Sequence, residues 1–241
     1  VFLEFASEDR GELRMLSDYF SYRPDGYRFM PAFKNKVWDG FVRLADLNKS
    51  QMLAGLTEDI AKFAEDMDVE VEFEGKKHEI PGVDQQVPEQ MLSGFLKALN
   101  PHSRGNPIEM RDYQEEAFRT AVTKQRCLLL SPTASGKSLI IYALMRWWRE
   151  VHDRKILIVV PSISLVSQLM SDFRDYSNGS FNDMHGITGG IEKETPQRVV
   201  ITTWQSIYKQ PAGWFAEFGS VCVDEVHHAQ AKSIQSIMNK L

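Results

Sequence analysis

From residue 103 onward, continuous apolar runs alternate with amphipathic stretches. The runs are CLLLS (127–131), KILIVVP (155–161), RVVITT (198–203) and SVCVDE (220–225). They are short and rich in Val, Ile and Leu, the pattern of strands buried on both faces. Helical periodicity lies between most of them. The pattern predicts an open parallel α/β sheet with right-handed crossovers. The chain before this region is patterned differently. VFLEF (1–5) reads as a strand, and 7–20 as a helix capped by Ser7 with Leu13, Leu16 and Phe20 on one face. Residues 27–33 and 36–44 read as two strands around a Lys-Asn turn, Pro31 marking an edge. Helices are expected near 53–67 and 87–99, and VEVEFEG (69–75) alternates like a half-buried strand. The Pro/Gly-rich segment 97–109 suggests a boundary, giving a small α+β domain over 1–102 and a larger α/β domain over 103–241.

Bulk properties narrow the picture only modestly. The chain has 241 residues, 43% apolar and 25% charged, as in ordinary globular proteins. A net charge of −5 argues against a surface that binds nucleic acid by charge all over, but permits a local basic patch. Cys127 and Cys222 cannot alone build a disulfide framework or a metal site. Both lie in apolar runs and are expected to be buried, reduced thiols of a cytosolic protein. The longest apolar run, LIIYALM (139–145), is too short to span a bilayer, so no membrane association is expected. The first residue is Val rather than Met, and the start shows no secretory signal, which suggests a trimmed chain.

The candidate chemistry sits at strand ends. SPTASGKS (131–138) follows a strand and opens a helix, the context in which a glycine-rich turn cradles phosphates. Thr133, Ala134, Ser135 and Gly136 would form the cradle. Lys137 would reach the β- and γ-phosphates, and the Ser138 hydroxyl would ligate Mg²⁺. Gly136 is expected beside the phosphates, where a side chain would obstruct. Ser131 replaces the usual first glycine. A Gly-Ser turn with a solvent-exposed lysine would explain this segment alone. SVCVDEVHHA (220–229) makes that reading improbable, because a strand ending in carboxylates complements a phosphate loop. Asp224 is assigned to Mg²⁺ and Glu225 to the attacking water. The expected ligands are therefore ATP and Mg²⁺, with Lys137, Asp224 and Glu225 as the catalytic set.

SGKS (135–138) and DEVH (224–227) resemble motifs I and II of superfamily 2 helicases. Further stretches match in order: RDYQ (111–114) resembles the adenine-recognition element, VVPSISLVSQ (159–168) motif Ia, and TTWQS (202–206) motif Ic. The resemblance implies that Arg111 and Gln114 hold the adenine. It implies that Ser162, Ser164, Gln168, Thr202 and Thr203 contact nucleic acid, and that His227 couples the two sites. The serines also suit helix capping, and GITGG (186–190) suits either a DNA contact or a plain loop.

The block DYFSYRPDGYRFMPAFKNKVWDGFVRL (18–44) resembles the N-terminal domain of the UvsW family of T4-like phage helicases. Arg28, Lys34 and Lys36 in it are candidate nucleic-acid contacts. The interleaved Tyr27, Phe29, Phe33 and Trp38 are expected in the small domain's core. The resemblance implies a RecA-like first helicase domain, with a second expected in a longer protein. It also implies ATP-driven translocation on branched DNA, with RNA–DNA hybrids as a further substrate, by a monomer in the cytoplasm (the host's, for a phage gene). Two alternatives stand beside it: the ATPase motor of a restriction or repair complex, and a nucleic-acid-binding module with little ATPase activity.

Overall fold

The computed structural model describes residues 2–74, 87–132, 134–226 and 237. The chain divides into two compact units, residues 1–85 with 124–127, and residues 86–123 with 128–241.

The first unit opens with β1 (Phe2–Glu4) and α1 (Arg10–Tyr19). Asp9, not Ser7, caps α1: its carboxylate accepts from the Gly11 N–H at 2.6 Å, while the Ser7 hydroxyl donates to Glu12. β2 (Ser21–Tyr22) follows, then a single 3₁₀ turn at Tyr27–Phe29 and the short α2 (Pro31–Lys34). The two strands expected across 27–44 are therefore absent, apart from β3 (Val42–Arg43) beside β2. Pro31 occupies the first helical position, where a missing N–H is no loss. β4 (Ala45–Asp46) and β5 (Gln51–Leu53) complete a β1-β5-β4 antiparallel sheet, which precedes α3 (Thr57–Met67). Residues 69–74 form no strand, and Phe73 is exposed. The core comprises Leu16, Phe20, Ala45, Met52, Ile60 and Phe63. Tyr27, Phe29, Phe33 and Trp38 are not part of it, contrary to expectation.

The second unit begins with α4 (Glu89–Leu99) and the hairpin β6 (His102–Ser103) and β7 (Asn106–Pro107). α4 belongs here because Leu92, Phe95 and Leu99 are buried with Phe118 and Trp147, and Phe95 stacks on Phe118 at 5.4 Å. The division thus falls before α4 rather than after it. Next come α5 (Asp112–Lys124), α6 (Lys137–Val151), β8 (Lys155–Val160), α7 (Ile163–Tyr176), β9 (Met184–Ile187) and β10 (Val199–Thr203). The short α8 (Trp204–Ile207) and α9 (Ala212–Phe215) lead to β11 (Phe218–Val223). All strand pairs in the sheet β11-β8-β10-β9 are parallel.

Strand alternation sorts this sheet's side chains into two cores. Ile156, Ile158, Val160, Val199 and Ile201 pack with α4 to α7. Leu157, Val159, Val200 and Ile187 pack on the other side with Trp214, Phe215 and Phe218. Burial on both faces explains the unbroken apolar runs. CLLLS is the exception: residues 127–131 pair with no strand among the described residues, and Leu130 is 90% exposed. Apolar composition suits a strand, but only pairing makes one. Cys127 is accordingly exposed and Cys222 half-buried, so neither is the fully buried thiol expected. No helix of the described residues is long and apolar enough to cross a membrane.

Candidate nucleotide site

The loop between residue 131 and α6 is held from three sides. Ser131, in the position usually glycine, places its hydroxyl 2.5 Å from that of Ser135. Tyr113 donates to the Ser135 carbonyl at 2.9 Å. The Gln114 amide NH₂ donates to the same carbonyl at 2.9 Å, and its oxygen accepts from the Arg111 N–H at 2.9 Å. Gln114 is only 5% exposed, so its amide grips the loop rather than facing an open base-binding surface. The Arg111 side chain contacts the Tyr113 hydroxyl at 3.3 Å. Gly136 stands at φ +77°, a backbone conformation that favours glycine, and a Cβ there would also press on the Gln114 amide. Ala134 also has positive φ, +64°.

Gly136 provides no side-chain cap for the 15-residue α6. The first-turn N–H groups of a helix lack intrahelical acceptors and favour an anion. Lys137 begins this helix, and its ammonium donates to Glu225 at 2.8 Å. Both side chains are about one-third exposed, so solvent screens the pair. The Glu225 hydrogen bond chiefly raises the Lys137 pKa, partial desolvation opposes it, and the Glu225 and Asp224 charges add to the rise. Asp224 continues the β11 ladder through its N–H to the Val159 carbonyl at 2.9 Å, and its carboxylate accepts from the Glu225 N–H at 3.0 Å. Glu225 stands at φ +52°, a sparsely populated conformation for a side-chain-bearing residue. Ser138, the expected cation ligand, lies 2.7 Å from the Tyr176 hydroxyl. Thr133 and His227 lie outside the described residues.

Lys137, Glu225 and Asp224 therefore converge, although 86 residues separate the first two motifs' nearest members, Ser138 and Asp224. Carboxylate oxygens are the hard ligands that suit Mg²⁺, and an ammonium at a helix start suits phosphates. Tyr113, inside RDYQ, has a loop-holding role that the motif pattern alone does not assign. Tyr176 carries no motif signal.

The other candidates divide by exposure. Ser162 caps α7, accepting from the Leu165 N–H, and its hydroxyl lies 2.9 Å from that of Ser164. Ser164 and Gln168 are exposed. Thr202 and Thr203 are 0% and 3% exposed. The Thr202 hydroxyl donates to the Ile187 carbonyl at 3.1 Å, and that of Thr203 pairs with Ser206 at 3.0 Å. Both threonine hydroxyls are thus engaged within the fold. Gly186 lies within β9 against Met170 and Val166, so the first part of GITGG is strand rather than loop.

In the first unit, Arg28, Lys34 and Lys36 line an open hollow of about 790 Å³ with Phe33, Val37, Trp38 and Asp39. Phe29 is 78% exposed, with the Lys34 ammonium 5.9 Å above its ring. Arg23 lies over Phe41 at 4.3 Å and over Tyr27 at 5.1 Å. Gly40, at φ +87°, lets Tyr27 approach: a Cβ would sit 2.7 Å from its ring. Asp39 accepts from Arg43 at 2.5 Å and from the Phe41 N–H, which holds its carboxyl at about 2.

A parallel sheet whose strand-tip carboxylates meet a helix-start lysine defines a RecA-like P-loop domain. Residues 107–241 match the family described as type III restriction enzyme, res subunit, and residues 5–74 match DNA helicase UvsW, N-terminal. The chain belongs to the superfamily 2 helicases, within the family that includes the UvsW helicase. It is 36% identical over 230 residues to the ATP-dependent DNA helicase uvsW of Enterobacteria phage T4, covering 94% of this chain and 45% of that protein. It is 30% identical over 134 residues to the DNA 3'-5' translocase XPB2 of Sulfurisphaera tokodaii, covering 56% of this chain and 28% of that protein. The crystal structure of the UvsW helicase from bacteriophage T4 superposes with a TM-score of 0.82 at 34% identity, covering 97% of this chain and 82% of that one. The chain spans about half the length, or less, of these curated relatives.

Proposed function

We propose that this chain is the ATP-binding portion of a DNA helicase or translocase that remodels branched DNA. The convergence of Lys137 with Glu225 and Asp224 carries the reading. Bound Mg²⁺ would neutralise charge on the β- and γ-phosphates. Ser138 and Asp224 would hold it. Lys137, released from Glu225, would bind the phosphates, leaving Glu225 to orient and accept a proton from water. Arg111 and Tyr113 remain candidates for the base, with Gln114 bracing the loop. The exposed Ser164 and Gln168 would contact nucleic-acid phosphates, while Arg28, Lys34, Lys36 and Phe29 offer charge and a stacking face. The proposed protein acts as a monomer in the cytoplasm.

The restriction-type name of the matching family favours a second reading, the motor of a restriction or repair complex. The match of residues 5–74 to the UvsW N-terminal family favours the first. ATP hydrolysis by the complete protein, measured with linear and branched duplexes, tests the proposal. Branched DNA is expected to stimulate hydrolysis most. Hydrolysis indifferent to every nucleic acid contradicts the motor reading.

A further inference from the structure

The Ser138 hydroxyl faces two polar groups that the ATP-site reading does not use, both on α7. The Tyr176 hydroxyl is 2.7 Å away, and the Asp172 carboxylate, one helical turn earlier, interacts with the same serine. Tyr176 is the last residue of α7. Its ring is half-buried and packs 5.5 Å from that of Tyr142, itself fully buried, so the phenol is fixed in place. A serine hydroxyl has one proton to donate and two lone pairs. Whichever hydroxyl donates in the Ser138–Tyr176 contact, at least one serine lone pair stays free for a cation. We infer that Tyr176 and Asp172 are positioning residues that orient the Ser138 hydroxyl for Mg²⁺ in the Mg²⁺–nucleotide complex. The inference rests on the assignment of Ser138 to the cation in the proposed function. Groups that orient a metal ligand from behind commonly contribute roughly 10-fold or more in metal affinity.

The test uses the purified protein and a fluorescent ATP analogue. Its affinity is measured over a Mg²⁺ titration and again in excess EDTA. Tyr176→Phe keeps the packed ring and removes one hydroxyl. It is expected to raise the Mg²⁺ concentration for half-maximal enhancement of binding by roughly 10-fold, while binding in EDTA and the melting temperature stay unchanged. Asp172→Asn should shift it in the same direction. Ser138→Ala should shift it at least as far, and adding Tyr176→Phe to Ser138→Ala should add nothing. A normal Mg²⁺ titration for both α7 variants, a tighter one, or equal losses with and without Mg²⁺ overturns the inference. An unchanged titration for Ser138→Ala, or no nucleotide binding by the wild type, overturns the site assignment beneath it.

Discussion

The two units use aromatic residues in opposite ways. In the larger unit, Phe95, Phe118 and Trp147 interlock inside the core that covers one face of the sheet. In the smaller unit, the densest aromatic stretch lies outside the core, with Phe29 exposed and cations over Phe29, Tyr27 and Phe41. A small unit has limited interior, so most aromatic rings beyond its six-residue core are only half-buried, and Phe29 is exposed. Exposed rings interleaved with cations are the kind of surface that stacks on bases and meets phosphates. Equal aromatic richness therefore accompanies a packed core in one region and a surface of rings and cations in the other.

Substitutions can break this contrast. Phe118→Ala empties a fully buried, stacked position and is expected to destabilise the larger unit by about 3–5 kcal/mol in chemical denaturation. A change below about 1 kcal/mol would mean that the ring is not part of a packed core. Phe29→Ala should alter stability by no more than about 0.5 kcal/mol. Under the proposed function it should weaken single-stranded DNA binding by about 1–3 kcal/mol. A stability loss as large as that of Phe118→Ala would erase the contrast. The smallest effect concerns Asp39. Its carboxyl titrates at about 2 rather than 3.8, so the Arg43 pair is intact above pH 3.8 and is lost as pH falls toward 2. Carboxyl-detected NMR should show that midpoint, and Arg43→Ala should return it toward 3.8. A wild-type midpoint at the ordinary value would contradict the pairing.

The same contrast explains what the sequence made legible. β8 and β10 are readable because burial on both faces demands unbroken apolar runs, and β11, mostly half-buried, keeps the same pattern. The Lys137–Glu225 convergence was readable because each motif lies at the end of such an element. The stretch 27–44 misled because alternating aromatics fit a strand, yet Pro31 suits a helix start equally well. CLLLS misled for a related reason: pairing is a nonlocal property that composition does not contain. The burial of Thr202 and Thr203 follows from sheet packing, which motif position does not reveal. The Gln114 and Ser131 contacts with Ser135 are tertiary details of the same kind. Tyr176 reaches Ser138 from 38 residues away, with no local pattern to announce it.

The central claim is that the helix-start lysine and the strand-tip acids form one nucleotide site. Its most direct test is the affinity of Mg²⁺–ATP for the wild type and for Lys137→Ala, measured by titration calorimetry with circular dichroism verifying the fold. Wild-type binding that is abolished or severely weakened in a folded Lys137→Ala protein is the predicted result. Equal affinity in the two proteins would contradict the account.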